Sequence, residues 1–350
     1  MKNVDAQPKK ALAALSGGVD SAVAALLALR GGYNLTAAVM DLHPACQGNI
    51  DEAGAVAERL GAPFMVFDLA GCFRTRVIDS FADAYEAGNT PNPCVECNKH
   101  IKFGAFAEKA LETGHELIVT GHYAGIERSP GGRLLLKKGS DASKDQSYML
   151  YSLTQGQLAM AIFPLGNLSK KEVRELAAEA GLQNAQKRES QDICFIPDGD
   201  YAAFICAHRG NAPRKGRFID SDGNILGESK GVYAYTVGQR RGLGLSMPRR
   251  AYVLEIRPSD AAVVVGSHEQ LFSSTLTARD INLIPVARLD SPIRARVKIR
   301  YRQQEQNATV EQIGEDALRV DFDEPQRAIA RGQAAVVYDG DTVVGGGTIV

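Results

Sequence analysis

A doubly wound α/β domain built on a parallel sheet, followed by a small mixed domain and a C-terminal β-barrel, is the fold class predicted by this sequence of 350 residues. Strand-like apolar runs alternate with helical patterns as far as Gly121, which implies a parallel sheet covered on both faces, with ligands at the carboxyl ends of its strands. A pair of glycines, Gly17 and Gly18, separates the first apolar run from the first helical pattern. Beyond about Thr275 the apolar period becomes two and hairpin turns appear, as in an all-β segment. The expected domain limits are 1–200, 201–272 and 273–350.

The strands of the first domain are expected at residues 10–15, 35–42, 63–69 and 117–121, and its helices at 21–29, 50–60, 74–87 and 103–113. The clearest helix runs over 168–181. Ser169 and Glu172 form a capping box, Leu168 staples onto Val173, and Gly181 is the stop. Past Pro197, turns rich in glycine and arginine separate short runs, as at Arg209-Gly210-Asn211 and Ser221-Asp222-Gly223-Asn224. Ile293, Ala295, Val297, Ile299 and Tyr301 then alternate with Arg294, Arg296, Lys298, Arg300 and Arg302, so five cations are expected on one strand face. Five like charges at that spacing repel, which favours phosphate contact over a merely solvated face. Later strands are expected at 317–322, 334–338 and 342–350, with Asp339-Gly340-Asp341 as a hairpin turn.

Apolar residues make up 45% and charged residues 23%, an ordinary soluble composition, and the net charge of -1 requires any polyanion to be met by local basic patches. No apolar stretch approaches the roughly 20 residues that span a bilayer. The first ten residues lack the apolar core of a signal peptide, so the expected location is cytoplasmic, with no membrane partner. In a reducing compartment the six cysteines read as thiols, catalytic groups or metal ligands. Cys46, Cys72 and Cys206 have no patterned neighbours, and His43, His100, His115, His208 and His268 show no metal-ligand spacing.

Three motifs carry chemistry. Ser16-Gly17-Gly18-Val19-Asp20-Ser21 follows the apolar run Ala11 to Leu15 and opens a helix, so backbone N–H groups gather at the positive end of a helix dipole, where a phosphate fits. The spacing and lysine of an ordinary P-loop are absent. Next, Thr90-Pro91-Asn92-Pro93-Cys94-Val95-Glu96-Cys97 holds a Cys-x-x-Cys that two prolines stiffen, so its thiols are expected on a defined loop and not inside a helix. Taken alone, the pair is open between redox, zinc and iron–sulfur roles, but no second Cys-x-x-Cys completes a zinc site. The third motif is Ser190-Gln191-Asp192-Ile193-Cys194-Phe195.

These stretches carry a resemblance. The SGGVDS loop resembles the pyrophosphatase loop of enzymes that split ATP into AMP and pyrophosphate. Nearly end to end the chain is similar to bacterial tRNA-specific 2-thiouridylases, through Asn92-Pro93-x-x-x-Cys97-Asn98, Thr120-Gly121-His122-Tyr123, Lys144-Asp145-Gln146-Ser147, Asp192-Ile193-Cys194-Phe195, Tyr235-Thr236-Val237-Gly238-Gln239-Arg240 and Arg300-Tyr301-Arg302. The resemblance implies that Ala14, Leu15, Ser16, Gly17, Gly18, Val19, Asp20 and Ser21 cradle ATP, with Met40 near the adenine and Gly121 at the nucleotide. Cys97 would be the nucleophile, and Cys194 would carry incoming sulfur as a persulfide. Asn92, Pro93 and Cys94 would lie by the target base. Lys144, Asp145, Gln146, Arg300 and Tyr301 would touch tRNA, and His122 and Gln333 would bear on tRNA choice. Many relatives carry Asp where this chain has Cys94. With three thiols, a [4Fe-4S] cluster on Cys94, Cys97 and Cys194 stands beside the persulfide route as an alternative.

Each part has a chemical reason. The uracil C2 oxygen leaves only once it carries AMP, which calls for ATP, with backbone amides and Mg2+ steadying the departing pyrophosphate. Asp20 is the candidate metal partner and Lys144 a candidate charge partner. Sulfur arrives as a persulfide handed over by a protein donor, and the base must be splayed out of the anticodon stem-loop to meet it. Among rivals, a 4-thiouridine synthase needs an RNA-binding domain ahead of the loop. Guanylate, argininosuccinate and lysidine synthetases have no use for two cysteine motifs. A non-catalytic RNA-binding or sulfur-carrier module would not need Asp20, Ser21, Cys97 and Cys194 intact.

Overall fold

The computed structural model describes residues 8–44, 48–182, 193–210, 215–245 and 250–350. Of the sequence expectations, Cys46, residues 190–192 and Asn211 lie outside them. The chain divides into two compact units. One comprises residues 1–77, 94–197 and 341–343, and the other residues 78–93, 198–340 and 344–350.

The first unit is built on β1 (Lys10–Leu15), β2 (Asn34–Asp41), β3 (Phe64–Asp68), β4 (Leu117–Val119) and β7 (Ala161–Ile162), in the order β3-β2-β1-β4-β7 with all neighbours parallel. The chain first winds outward from β1 through β2 and β3, then returns to β4 on the other side of β1. The carboxyl ends of β1 and β4 therefore flank the point where strand order reverses, the place where such sheets hold ligands. Alanine makes the close packing there possible. Ala11 and Ala13 of β1 and Ala22, Ala24, Ala25 and Ala28 of α1 (Val19–Arg30) are buried in one core with Leu15, Val23 and Val39. The core extends to α2 (Gly48–Leu60) and to α9 (Lys170–Glu179), whose Val173 and Ala177 pack inward. The Ser169–Glu172 capping box forms as the sequence predicts, and Gly181 turns the chain at φ +68°. A hairpin that the sequence reading missed, β5 (Ala124–Arg128) with β6 (Leu134–Lys138), pairs through Leu136 and Lys137 with Val343 and Thr342.

Two helical expectations need correction. The helix expected over 74–87 begins as α3 (Ala70–Phe73), widens through a π-helical stretch at Arg74–Asp79, and ends as α4 (Ser80–Glu86). More consequentially, Cys94 and Cys97 do not lie on a loop. Pro93 opens α5 (Pro93–Glu96), a π-helix follows over Cys97–Ala105, and α6 (Phe106–Glu112) completes the run. Proline at a first helical position costs no hydrogen bond and presets φ, so Pro93 starts a helix where stiffening alone had been read.

The second unit contains α10 (Tyr201–Arg209) and a four-stranded sheet in the order β10-β11-β8-β9, made of β8 (Gly216–Ile219), β9 (Ile225–Ser229), β10 (Tyr252–Arg257) and β11 (Ala262–Gly266). A barrel follows. Its strands β12 (Phe272–Leu283), β13 (Ile293–Lys298), β14 (Gln306–Gln312), β15 (Ala317–Arg327), β16 (Ala334–Asp339) and β17 (Thr342–Ile349) run in the order β12-β15-β14-β13-β16-β17, and β12 pairs back onto β17 to remove the free edges. The expected five-cation strand is shorter than read. β13 stops at Lys298, so Arg300 and Arg302 lie in the turn beyond it. Two of the remaining cations are partnered on the surface, Arg294 by Asp323 and Arg296 by Glu305.

Candidate active site

The loop between β1 and α1 leaves the start of α1 open. Gly18 is the cap residue and makes no side-chain capping bond, so the first amides of α1 face outward at the positive end of its dipole. Ser21 stiffens the loop: its hydroxyl accepts from the Ser16 amide at 3.1 Å and donates to the Gly18 carbonyl at 3.0 Å. Gly17 adopts φ +71°, and a side chain there would run into Glu52. Met40 follows Val39, which pairs with Leu15, so it stands on the neighbouring strand level with Ser16. Gly121, just past β4, lies backbone to backbone on α1, and a Cβ on it would come within 2.7 Å of the Asp20 carbonyl carbon and the Ser21 nitrogen.

Asp20 already has a cation. Lys170 Nζ donates to both of its oxygens at 2.7 and 2.8 Å, and the Tyr123 hydroxyl donates to Oδ1 at 2.7 Å. A magnesium ion would have to displace that ammonium, so the residues do not fit the expected metal role of Asp20. The sequence reading missed Lys170. Its one signal was a lysine in the first turn of a capped helix, where the dipole disfavours positive charge unless an anion answers it. The second oxygen of Asp141 accepts from the Lys170 amide at 3.0 Å, which ties the Asp141–Lys144 turn to the same helix start. Replacing Lys170 by methionine leaves Asp20 as an unmatched carboxylate beside the open start of α1. The expected result is a rise in the ATP KM of about tenfold or more, which is roughly the 1.5–3 kcal/mol of a charged hydrogen bond, while Lys170→Arg retains most of the affinity. An unchanged KM in Lys170→Met would refute the role.

The cysteine helix is held by two neighbours. α7 (Ser147–Leu150) takes the Asn98 amide at Met149 O, 2.9 Å away. α8 (Gln155–Met160) sends Gln157 Nε2 to the Lys99 and Phe103 carbonyls, at 3.0 and 2.9 Å. π-helical turns change which carbonyls bond within the helix, and side chains commonly complete the set at functional sites. Cys94 is exposed and Cys97 half-buried. Desolvation by the neighbouring protein atoms pushes the Cys94 thiol up, while nearby Lys102 pulls it down. Lys102 Nζ in turn lies 3.3 Å from His122 Nε2, and His122 Nδ1 lies 2.8 Å from Thr120 Oγ1. Burial first, and Lys102 second, hold His122 well below 6.5, so its ring is neutral. An ammonium has only protons to give. His122 Nε2 must therefore accept from Lys102, which leaves the ring proton on Nδ1. Cys194 is exposed, and next to it Phe195 packs edge-on against Phe73 of α3, with ring centroids 5.7 Å apart. α3 also touches the Cys97–Ala105 helix, so the segments bearing Cys97 and Cys194 share a neighbour.

The family model described as tRNA methyl transferase HUP domain matches residues 9–198. The tRNA methyl transferase PRC-barrel domain matches 202–267, and the aminomethyltransferase beta-barrel domain matches 273–349. A protein of Clostridioides difficile (strain 630) named tRNA-specific 2-thiouridylase MnmA is 44% identical, covering 97% of this chain and 98% of that protein. Proteins of the same name from Treponema denticola and Symbiobacterium thermophilum are each 45% identical and cover 97% of this chain, with 97% and 92% of their own lengths covered. The chain belongs to the tRNA-specific 2-thiouridylase family. A solved 4-thiouridine synthetase–RNA complex with bound ATP is more loosely similar, with a TM-score of 0.36 and 20% identity over 55% of this chain and 46% of that one.

Within this 2-thiouridylase chain, several residues expected to face tRNA turn their side chains inward. Both carboxylate oxygens of Asp145 are taken up by the Gly139 and Ser147 amides and the Ser147 hydroxyl, because the carboxylate builds the turn that starts α7. Gln146 Oε1 accepts from the Tyr123 amide, steadying the tyrosine that reaches Asp20. His122 is 5% exposed, its ring set between Lys102 and Thr120. In the second unit, Gln333 Nε2 donates to the Thr90 and Pro91 carbonyls, and an Arg300 terminal nitrogen donates to the carbonyls of Val237 and Ala328. In this structure the Asp145, His122, Gln333 and Arg300 side chains therefore hold loops, and Lys144 is half-exposed on its turn. The three-cysteine cluster is not assembled either. Among the described residues no three Cys, His, Asp or Glu side chains are grouped to hold a metal ion, although Cys94, Cys97 and Cys194 are all described. No helix among the described residues is long and apolar enough to cross a membrane.

Proposed function

We propose that this chain carries out ATP-dependent 2-thiolation of the wobble uridine of tRNA, with MgATP as co-substrate and a persulfide as the sulfur source. The observation that carries the reading is the grouping within one unit of an uncapped α1 start with two cysteine segments that meet at α3. The names of the 2-thiouridylase relatives support it.

In this reading the loop amides and the α1 dipole receive the phosphates of ATP, and residues 14–21, Met40 and Gly121 surround the nucleotide. Lys170 neutralises Asp20, so the loop presents no net repulsion to the polyphosphate. The uracil C2 oxygen attacks the α-phosphorus, pyrophosphate leaves, and C2 becomes electrophilic. The terminal sulfur of a Cys194 persulfide then bonds to C2 and AMP departs. Cys97 thiolate attacks the inner sulfur on Cys194, which leaves the transferred sulfur on the base and a Cys97–Cys194 disulfide in the protein. Asn92, Pro93 and Cys94 would stand near the base, Lys144 and Tyr301 near phosphate, and a sulfur-carrying protein would reload Cys194.

The test is incubation with ATP, a persulfide-charged donor and unmodified tRNA, followed by nucleoside mass spectrometry and nucleotide analysis. The expected products are 2-thiouridine at the wobble position, AMP and pyrophosphate. Formation of ADP, or of a methylated base as the domain-model names would suggest, would overturn the proposal.

A further inference from the structure

Thiolation as proposed leaves Cys194 locked in a disulfide, yet Cys194 must be a thiolate again before it can accept another sulfur. Building on that reading, we propose that Cys94 is the resolving thiol, which moves the disulfide from Cys97–Cys194 to Cys94–Cys97 and so frees Cys194.

Geometry favours Cys94 in two ways. Cys94 and Cys97 stand one helical turn apart on the run that begins at Pro93. Helix neighbours three residues apart have Cβ atoms about 5–6 Å from each other, near enough to be bridged with little movement of the backbone. Cys94 is also exposed, so an attacking or reducing partner can reach it. The π-helical stretch contributes the cation. An α-helix turns about 100° per residue and a π-helix about 80°, so Lys102 comes roughly into line with Cys94, whereas uninterrupted α-helix would leave it about 80° away. The neutral His122 ring accepts from the Lys102 ammonium and holds it there. A cation beside a thiol that its surroundings keep protonated raises the thiolate fraction available for attack.

The exchange balances. Cys94 gives its proton to solvent and its thiolate bonds to the Cys97 sulfur. The Cys97–Cys194 bond breaks and Cys194 leaves as a thiolate, with no net oxidation. A dithiol reductant in solution then returns Cys94 and Cys97 to thiols.

The test loads the full chain with persulfide, starts turnover with ATP and tRNA, quenches by alkylation, and maps disulfides without reduction. Wild type is expected to show Cys94–Cys97. Cys94→Ser is expected to accumulate Cys97–Cys194 and, with dithiol reductant present, to give a burst of one thiolation per enzyme followed by a steady rate about tenfold lower or less. Lys102→Met is expected to retain the Cys97–Cys194 linkage longer, and Lys102→Arg to restore the exchange. Cys72→Ser, which removes the thiol on α3, is expected to map like wild type. Accumulation of Cys97–Cys194 in wild type, or in Cys72→Ser but not in Cys94→Ser, would overturn the resolving role alone. Absence of that linkage from every variant would overturn the persulfide reading, and the resolving role with it.

Discussion

Cys97→Ser and Cys194→Ser should each lower 2-thiouridine formation by at least about three orders of magnitude, because a serine hydroxyl neither carries a persulfide nor forms the thiolate that cleaves one. Neither change should disturb the fold. Cys194 is exposed and Cys97 half-buried, and each loses only the difference between sulfur and oxygen. In the proposed reaction neither thiol takes part in adenylation, so tRNA-dependent exchange of pyrophosphate into ATP should persist in both variants, as should tRNA binding. The double variant should be no worse than either single one, since in the proposed reaction both thiols serve one transfer and losses within such a unit do not add. The measurements are nucleoside mass spectrometry, pyrophosphate exchange and filter binding. Loss of exchange and binding together with thiolation would mean that the thiols hold the structure rather than act in the reaction.

Gly121→Ala should be almost as damaging without touching any reacting atom. Its new methyl group would come within 2.7 Å of the Asp20 carbonyl carbon and the Ser21 nitrogen, and these are backbone atoms of the first turn of α1, which cannot swing aside as a side chain can. The strand end after β4 must then draw away from α1, opening the point where strand order reverses. Overpacking of this kind costs roughly 1–3 kcal/mol, and misplacing the loop should lower kcat/KM for ATP by about a hundredfold, since small displacements at a reacting centre are amplified in rate. Gly71→Ala provides the contrast. Apart from its own helix backbone and chain neighbours, nothing described lies within 4 Å of a Cβ built there, so a helical alanine should leave both Tm and ATP kinetics near wild type. Equal behaviour of the two variants in a thermal melt and an ATP titration would refute the steric account.

What the sequence revealed and what it concealed follow from the range of the interactions. The phosphate loop could be read because a strand, a glycine turn and a helix start are adjacent in the chain, and their geometry depends on a few neighbouring dihedrals. The Ser169 cap could be read for the same reason. The setting of the cysteine pair could not. Pro93 serves equally in a stiff loop or at a helix start, and the choice rests on Gln157 and Asn98 bonds that cross more than fifty positions. The β13 strand was read too long because apolar alternation continues through Tyr301, although the backbone turns after Lys298. Motif resemblance found Asp145, His122, Gln333 and Arg300, but not the loop-anchoring bonds that each of them makes.

By itself, then, the sequence determined an alternating α/β domain with a glycine turn at the start of its first helix, a terminal barrel and three thiols on two segments, because periodicity and turn chemistry are local properties of the chain. Only the tertiary structure decided that Lys170 answers Asp20 from 150 positions away, that Gly121 presses on α1, and that Lys102 is held by a neutral His122. Those pairings arise from how the sheet and its helices pack, and side chains so distant in sequence meet only after the core has closed.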